Sequence, residues 1–182
     1  MDLPEQLKVD QSTGVRRLVS DYGNRLFETA LHLCGNAADA EDYAFRTLEH
    51  AILKIESFRA SSSFFTWLYA ILVNLMRSDA RRKAANALDF PGDIPEQIDP
   101  RPQPSDEMSA QEEAAAIRDS LDRLPYVLRE VIVFRYWEDL TVPEIAKVLK
   151  IPEGTVKSRL FQAKNLMRLI VSRTIEAEHS SN

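Results

Sequence analysis

Lys157, Ser158, Phe161 and Gln162 lie on one side of a helical stretch whose other side is Val156, Leu160, Ala163 and Met167. That spacing of three and four sets hydrogen-bonding and aromatic side chains opposite a buried stripe. A helix in a major groove reads base edges with such side chains near its N-terminus. Arg159, Lys164 and Arg168 on the same stretch suit phosphate oxygens, which position a protein without reading sequence. The charge is placed locally: residues 151–175 hold five Lys/Arg against one Glu, in a chain of net charge −5. A basic stripe on an otherwise acidic chain is the electrostatic footprint of a nucleic-acid-binding helix.

A second group couples rings to cations. Phe64, Phe65, Trp67 and Tyr69 are followed by Asn74, Arg77, Arg81, Arg82 and Lys83. Aromatic faces stack on unpaired bases, worth about 1–3 kcal/mol per base, while Arg and Lys hold the backbone, so the set suits single-stranded DNA. Phe65, Leu68 and Leu72 fit a bundle core better, and Trp67 fits either role.

No catalytic constellation accompanies these groups. His32, His50 and His179 are scattered, and no paired-carboxylate or phosphate-cradling pattern occurs. His32 and Cys34 are two apart on a helix and face different ways, so they read as packed side chains rather than metal ligands. Glu41 and Asp42 are adjacent and diverge in the same way. The expectation is a binding protein, not an enzyme, with no metal and no cofactor.

The reading helix needs a partner, and the sequence supplies one. Thr141 with Glu144 fits a capping box, and Pro143 sits in the first turn, where its missing N–H is harmless. Ile145, Ala146 and Leu149 form the inner face of this helix, Lys150-Ile151 breaks it, and Pro152 opens the next. The whole is a helix-turn-helix. Upstream, a helix is predicted from Val15 to Leu33 with Val15, Leu18, Val19, Tyr22, Leu26, Ala30 and Leu33 on one face, and Gly35-Asn36 stops it. A second runs from Ala37 to Ile55 through Ala40, Tyr43, Ala44, Leu48, Ala51 and Ile52. A third follows serines 61–63, which can cap it, and continues to Arg82.

Between these parts the composition changes. Residues 1–83 carry eleven basic and eleven acidic groups, whereas 84–116 carry one basic and eight acidic, with Pro91, Pro95, Pro100, Pro102 and Pro104 among them. Such a segment buries too little apolar surface to offset its ordering entropy and reads as a tether. The predicted organisation is all-α: a helical domain over 10–86, an acidic, proline-rich linker over 87–111, and a second helical domain over 112–175. With 182 residues, 45% apolar content and five glycines, nothing argues for sheets. One cysteine excludes an internal disulfide, and no apolar run nears the roughly 18 residues of a membrane span. No signal-peptide pattern is present, so a reducing cytoplasm without membrane insertion is expected.

Together the two ends resemble the extracytoplasmic-function (ECF) sigma factors, bacterial initiation factors built from sigma region 2, a linker and sigma region 4. The N-terminal resemblance rests on Ala40-Glu41-Asp42, on the run from Phe58 to Tyr69, on Asn74 and on Asp79-Ala80-Arg81-Arg82. The C-terminal one rests on Leu124-Pro125, Arg129-Glu130-Val131, Glu144-Ile145-Ala146 and the run from Gly154 to Leu160.

The resemblance implies an alternative sigma factor that directs RNA polymerase core to promoters for transcription initiation. Region 2 would melt the −10 element, with a base flipped toward the loop of Phe58, Arg59, Ser61, Ser62, Ser63 and Phe64. Asn74 matches a base-reading position, Trp67 the melted junction, and Arg77, Ser78 and Arg81 extend the same DNA face. Region 4 would read the −35 element through Lys157, Ser158, Phe161 and Gln162, with Arg159 and Lys164 on phosphates. Gln162 stands where many relatives carry Arg, which favours adenine over guanine.

The implied polymerase contacts are the beta-prime clamp, through the helix of Asp42, Phe45, Arg46 and Glu49, and the beta flap. Here Phe45-Arg46 replaces the family's Gln-Glu pair, turning an acidic surface hydrophobic and cationic. An anti-sigma factor that occludes regions 2 and 4 is the implied regulator. Two other readings stay open on the residues alone: a stand-alone helix-turn-helix regulator, and a sigma-like adaptor that sequesters an anti-sigma factor.

Overall fold

The computed structural model describes residues 2–59, 62–88 and 120–179, with side chains through 83 and from 120 to 170. Every regular element among them is helical: α1 (Leu3–Val9), α2 (Gln11–Cys34), α3 (Ala37–Leu53), a single 3₁₀ turn (Ile55–Ser57), α4 (Phe64–Leu88), α5 (Tyr126–Tyr136), α6 (Val142–Leu149) and α7 (Glu153–His179). The linker expected over 87–111 lies, from residue 89 onward, outside the described residues.

The starts of the helices are set by short polar side chains that satisfy otherwise unpaired N–H groups. Asp2 accepts from Glu5 N at 3.0 Å, Asp10 from Thr13 N at 3.2 Å, Asn36 from Asp39 N at 3.0 Å and Ser63 from Thr66 N at 3.1 Å. The predicted stops hold as well. Gly35 closes α2 at φ 70°, a left-handed conformation that glycine adopts without a Cβ penalty. Lys150 closes α6 at φ 55°, the turn of the helix-turn-helix.

Two N-terminal features depart from the sequence expectation. α1 was not anticipated, and α2 begins four residues before Val15. Leu3 and Leu7 of α1 are buried against α2, where Gly14 permits the crossing: a Cβ at Gly14 would stand 2.8 Å from Leu7 Cα. Val19, expected on the buried face, is 51% exposed. It follows Leu18 by 100° around the helix and falls outside the stripe of Leu18, Leu26, Ala30 and Leu33.

The two helical units are packed together. α4 lies against α6, and α2 against α5. One apolar cluster runs from Leu68, Tyr69, Leu72, Val73 and Met76 of α4 into Val131 and Phe134 of α5 and Ile145, Val148 and Leu149 of α6. A smaller cluster of Leu121, Leu124, Leu128, Ile132 and Ala163 fastens α5 to α7. The core therefore supports the helix-turn-helix from one side and leaves the opposite side of α7 to solvent.

Candidate nucleic-acid interface

The capping box predicted for α6 is formed: the Thr141 backbone N–H donates to Glu144 Oε2 at 2.8 Å, and the Thr141 hydroxyl lies 2.6 Å from the same oxygen. These bonds hold the Glu144 carboxyl below its ordinary range. α6 then buries Ile145, Val148 and Leu149, and α7 buries Val156 and Ala163 beneath it. Lys157, Ser158, Phe161, Gln162 and Lys164 all point to solvent, with Phe161 68% exposed. Phe161, flanked on this face by Lys157 and Gln162, is thus a large apolar ring open to solvent, with the chemistry for an apolar contact such as one to a thymine methyl.

Two cations behave differently from each other. Lys164 Nζ sits 5.5 Å from the centroid of the Tyr136 ring, so its charge is held beside the outward face of α7. Tyr136, half exposed at the end of α5, was missed by sequence reasoning, since nothing in the order Arg135-Tyr136-Trp137 places it next to α7. Arg159, expected on phosphates, turns inward and donates to Glu130 Oε1 at 3.0 Å.

At the start of α4 the aromatic residues form a packed wall. Phe58 and Phe64 meet edge to face at 5.2 Å, while Trp67 packs at a tilt on Phe58 at 5.3 Å and on Phe64 at 5.5 Å. Phe64 is buried in the bundle core and Trp67 only half-buried, so of the two Trp67 keeps an accessible edge. Tyr69 is fully buried and donates to Glu138, with burial raising its hydroxyl pKa above the ordinary value. Of the loop residues, Arg59 is exposed, Ser62 half-buried, Ser63 the helix cap, and Ser61 lies outside the described residues. Further along α4, Asn74, Ser78 and Arg81 are exposed at positions that share a face. Arg77, expected beside them on DNA, is instead spent on Glu130, at 2.9 and 3.0 Å, and on the Leu149 carbonyl at 2.8 Å.

On α3, Asp42, Phe45 and Glu49 are exposed, Phe45 at 68%. Arg46 is not a free cation: Nη1 donates to Asp42 at 3.0 Å and to Asp79 of α4 at 2.7 Å. The replacement read from the sequence as hydrophobic and cationic is thus hydrophobic and charge-paired. His32 rests against Trp137 at 5.0 Å between ring centroids, and Cys34 donates to the Asn36 carbonyl at 3.3 Å. Among the described residues no group of three His, Cys, Asp or Glu is placed to hold a metal ion, and no helix is long and apolar enough to cross a membrane.

The chain matches the family descriptions "Sigma-70 region 2" over residues 18–86 and "Sigma-70, region 4" over residues 114–167. It is 30% identical to the ECF RNA polymerase sigma factor SigW of Bacillus subtilis, over 90% of this chain and 92% of that one. It is 29% identical to the ECF RNA polymerase sigma-E factor of Haemophilus influenzae, over 91% of each. Among solved structures, the sigma factor RpoE in complex with the anti-sigma factor NepR from Bartonella quintana has the same fold, with a TM-score of 0.71 at 24% identity, covering 86% of this chain and 96% of that one. CnrH in complex with the cytosolic domain of CnrY gives a TM-score of 0.69 at 23% identity, over 94% and 96%. With region 2 and region 4 in this order over most of its length, the chain belongs to the ECF RNA polymerase sigma factors of the sigma-70 family.

Proposed function

We propose that this alternative sigma factor acts in the cytoplasm, without a reaction of its own, by binding RNA polymerase core through α3 and delivering it to two-element promoters. Region 4 reads the −35 element through Lys157, Ser158, Phe161 and Gln162, with Lys164 on phosphate. Region 2 opens the −10 element with Trp67, Asn74, Ser78 and Arg81 on the displaced strand. The domain limits that go with this division are 10–86 and 112–175. The observation that carries the reading is the outward face of α7, where four exposed side chains of base-reading chemistry stand on a helix whose opposite side is locked into the fold.

Phe45 supplies an apolar anchor for the polymerase clamp, flanked by the carboxylates of Asp42 and Glu49, while Arg46 organises Asp42 from the side. An anti-sigma factor fits as the regulator, in keeping with the partners named for RpoE and CnrH. Titration of sigma-free bacterial core polymerase with the labelled chain tests the assignment. A saturable one-to-one complex weakened by Phe45→Ala is expected. Duplex DNA binding with no polymerase complex would instead make the chain a stand-alone helix-turn-helix regulator.

A further inference from the structure

We propose that the cleft between α4 and the start of α5 is a binding site for a small aromatic anion, one or two fused rings carrying a carboxylate, sulfonate or phosphate. The cleft measures about 780 Å³, within the range of about 300–1,000 Å³ typical of small-molecule sites. The end of α2, the start of α3 and the middle of α4 line one side; the start of α5, Ile151 and Arg159 line the other. None of Lys157, Ser158, Phe161 and Gln162 lines it, so it stands apart from the outward face of α7.

The apolar part of the wall fits a ring. Leu33, Tyr43, Met76, Val127 and Ile151 line the cleft with Tyr126, so two aromatic rings and a thioether, which packs well on aromatic edges, are among its surfaces. A long acyl chain fits poorly. The wall is interrupted by Glu130, fully buried, with Arg77 at 2.9 and 3.0 Å and Arg159 at 3.0 Å on its carboxylate. Hydrocarbon laid across these groups would strip water from charges without replacing its hydrogen bonds.

Charge and hydrogen-bonding capacity set the sign of the ligand. Besides Arg77 and Arg159, the lining cations are Arg81, Lys83 and Arg129, against the carboxylates of Glu130 and Asp39. Arg77 and Arg159 are engaged by Glu130, and Arg129 pairs with Asp122 at 3.2 Å, which leaves Arg81 and Lys83, both exposed on α4, to charge the mouth. Among the described residues two buried side-chain polar atoms have no hydrogen-bond partner, the Tyr126 hydroxyl and Arg129 Nε, and both belong to residues that line this cleft. Burial raises the Tyr126 hydroxyl above its ordinary pKa, so it keeps its proton. Arg129 Nε always carries a hydrogen, so both atoms are donors. Buried donors without acceptors are costly, and the cleft is the side from which the oxygens of an anion approach them.

The test uses the full chain without polymerase or DNA, so that it stands or falls separately from the promoter reading. The probe is 8-anilinonaphthalene-1-sulfonate, an aromatic anion that fluoresces on binding, compared with the uncharged N-phenyl-1-naphthylamine. Saturable one-to-one binding of the sulfonate is expected, with the neutral amine at least about tenfold weaker. Val127→Trp, which fills the mouth from a position 46% exposed, should abolish binding. Lys83→Ala and Tyr126→Phe should each weaken it by about three- to tenfold at unchanged helix content by circular dichroism. Val19→Ser with Leu53→Ser removes two exposed apolar groups that do not line the cleft and should leave the affinity unchanged. Binding that does not saturate, that is equal for the two probes, that is lost with Val19→Ser and Leu53→Ser, or that survives Val127→Trp and Tyr126→Phe unaltered overturns the proposal.

Discussion

Arg46 Nη1 lies 2.7 Å from Asp79 Oδ2, joining α3 to α4 at the residue next to the exposed Phe45. The same Asp79 accepts from Arg82, so one carboxylate fixes two arginines. Arg46→Ala should cost about 1 kcal/mol of stability, since the pair is partly shielded, whereas Phe45→Ala should fall within about 0.5 kcal/mol of zero. Urea denaturation separates the two, and polymerase affinity should rank them in the opposite order.

The acid response of the fold has two signs. Arg46 holds the Asp79 carboxyl below the ordinary aspartate value of 3.8, so its stabilisation is complete above that value and is lost as pH falls beneath it. Burial pushes Glu130 above the ordinary 4.5, although Arg77 and Arg159 oppose the shift. Glu130 therefore takes its proton earlier in the folded chain than in the unfolded one. Its contribution grows on acidification from the raised value down to 4.5. Unfolding free energies from pH 7 to 3 should show Asp79→Asn converging on the wild type at the acid end. Glu130→Gln should show the wild type gaining on the variant between the raised value and 4.5.

Gly14→Ala should destabilise by about 1–3 kcal/mol, because the added Cβ meets helix backbone rather than a yielding side chain. Gly23→Ala on the same helix is the control. Its Cβ would lie 3.7 Å from Val19 Cγ1, an ordinary contact, and the change should stabilise by up to about 1 kcal/mol. Equal effects at the two positions would show that α1 does not crowd α2.

Gln162→Arg should move the preference at one base of the −35 element from adenine to guanine, by about 1–3 kcal/mol for a bidentate contact. Lys157→Ala and Phe161→Ala should reduce initiation at −35-dependent promoters while leaving polymerase binding and stability unchanged. Competition between promoter variants in single-round transcription reads all three.

Most of the fold was legible in local signals. Thr141 with Glu144, the Lys150-Ile151 break and Gly35 each act within a few residues, so their chemistry is visible in the order of the chain. α1 escaped because its apolar content amounts to Leu3 and Leu7, one repeat of the period, although Asp2 and Pro4 mark its start. The candidate site was legible on α7, whose outward face depends only on helical phase. It was not legible at Arg77, Arg159 and Arg46, which look like free cations in the sequence. Their partners, Glu130 and Asp79, lie 29 to 53 residues away and are supplied by tertiary packing. Tyr136 and Glu138 are of the same kind, each taking its role from a neighbour on another helix.

The most direct measurement is genome-wide run-off transcription with sigma-free core polymerase, with and without the chain, mapping every 5′ end. New ends that share two upstream elements at a fixed spacing, and that are lost with Lys157→Ala, are the expected result. No new ends from a polymerase that binds the chain stoichiometrically would contradict its reading as a promoter-directing factor.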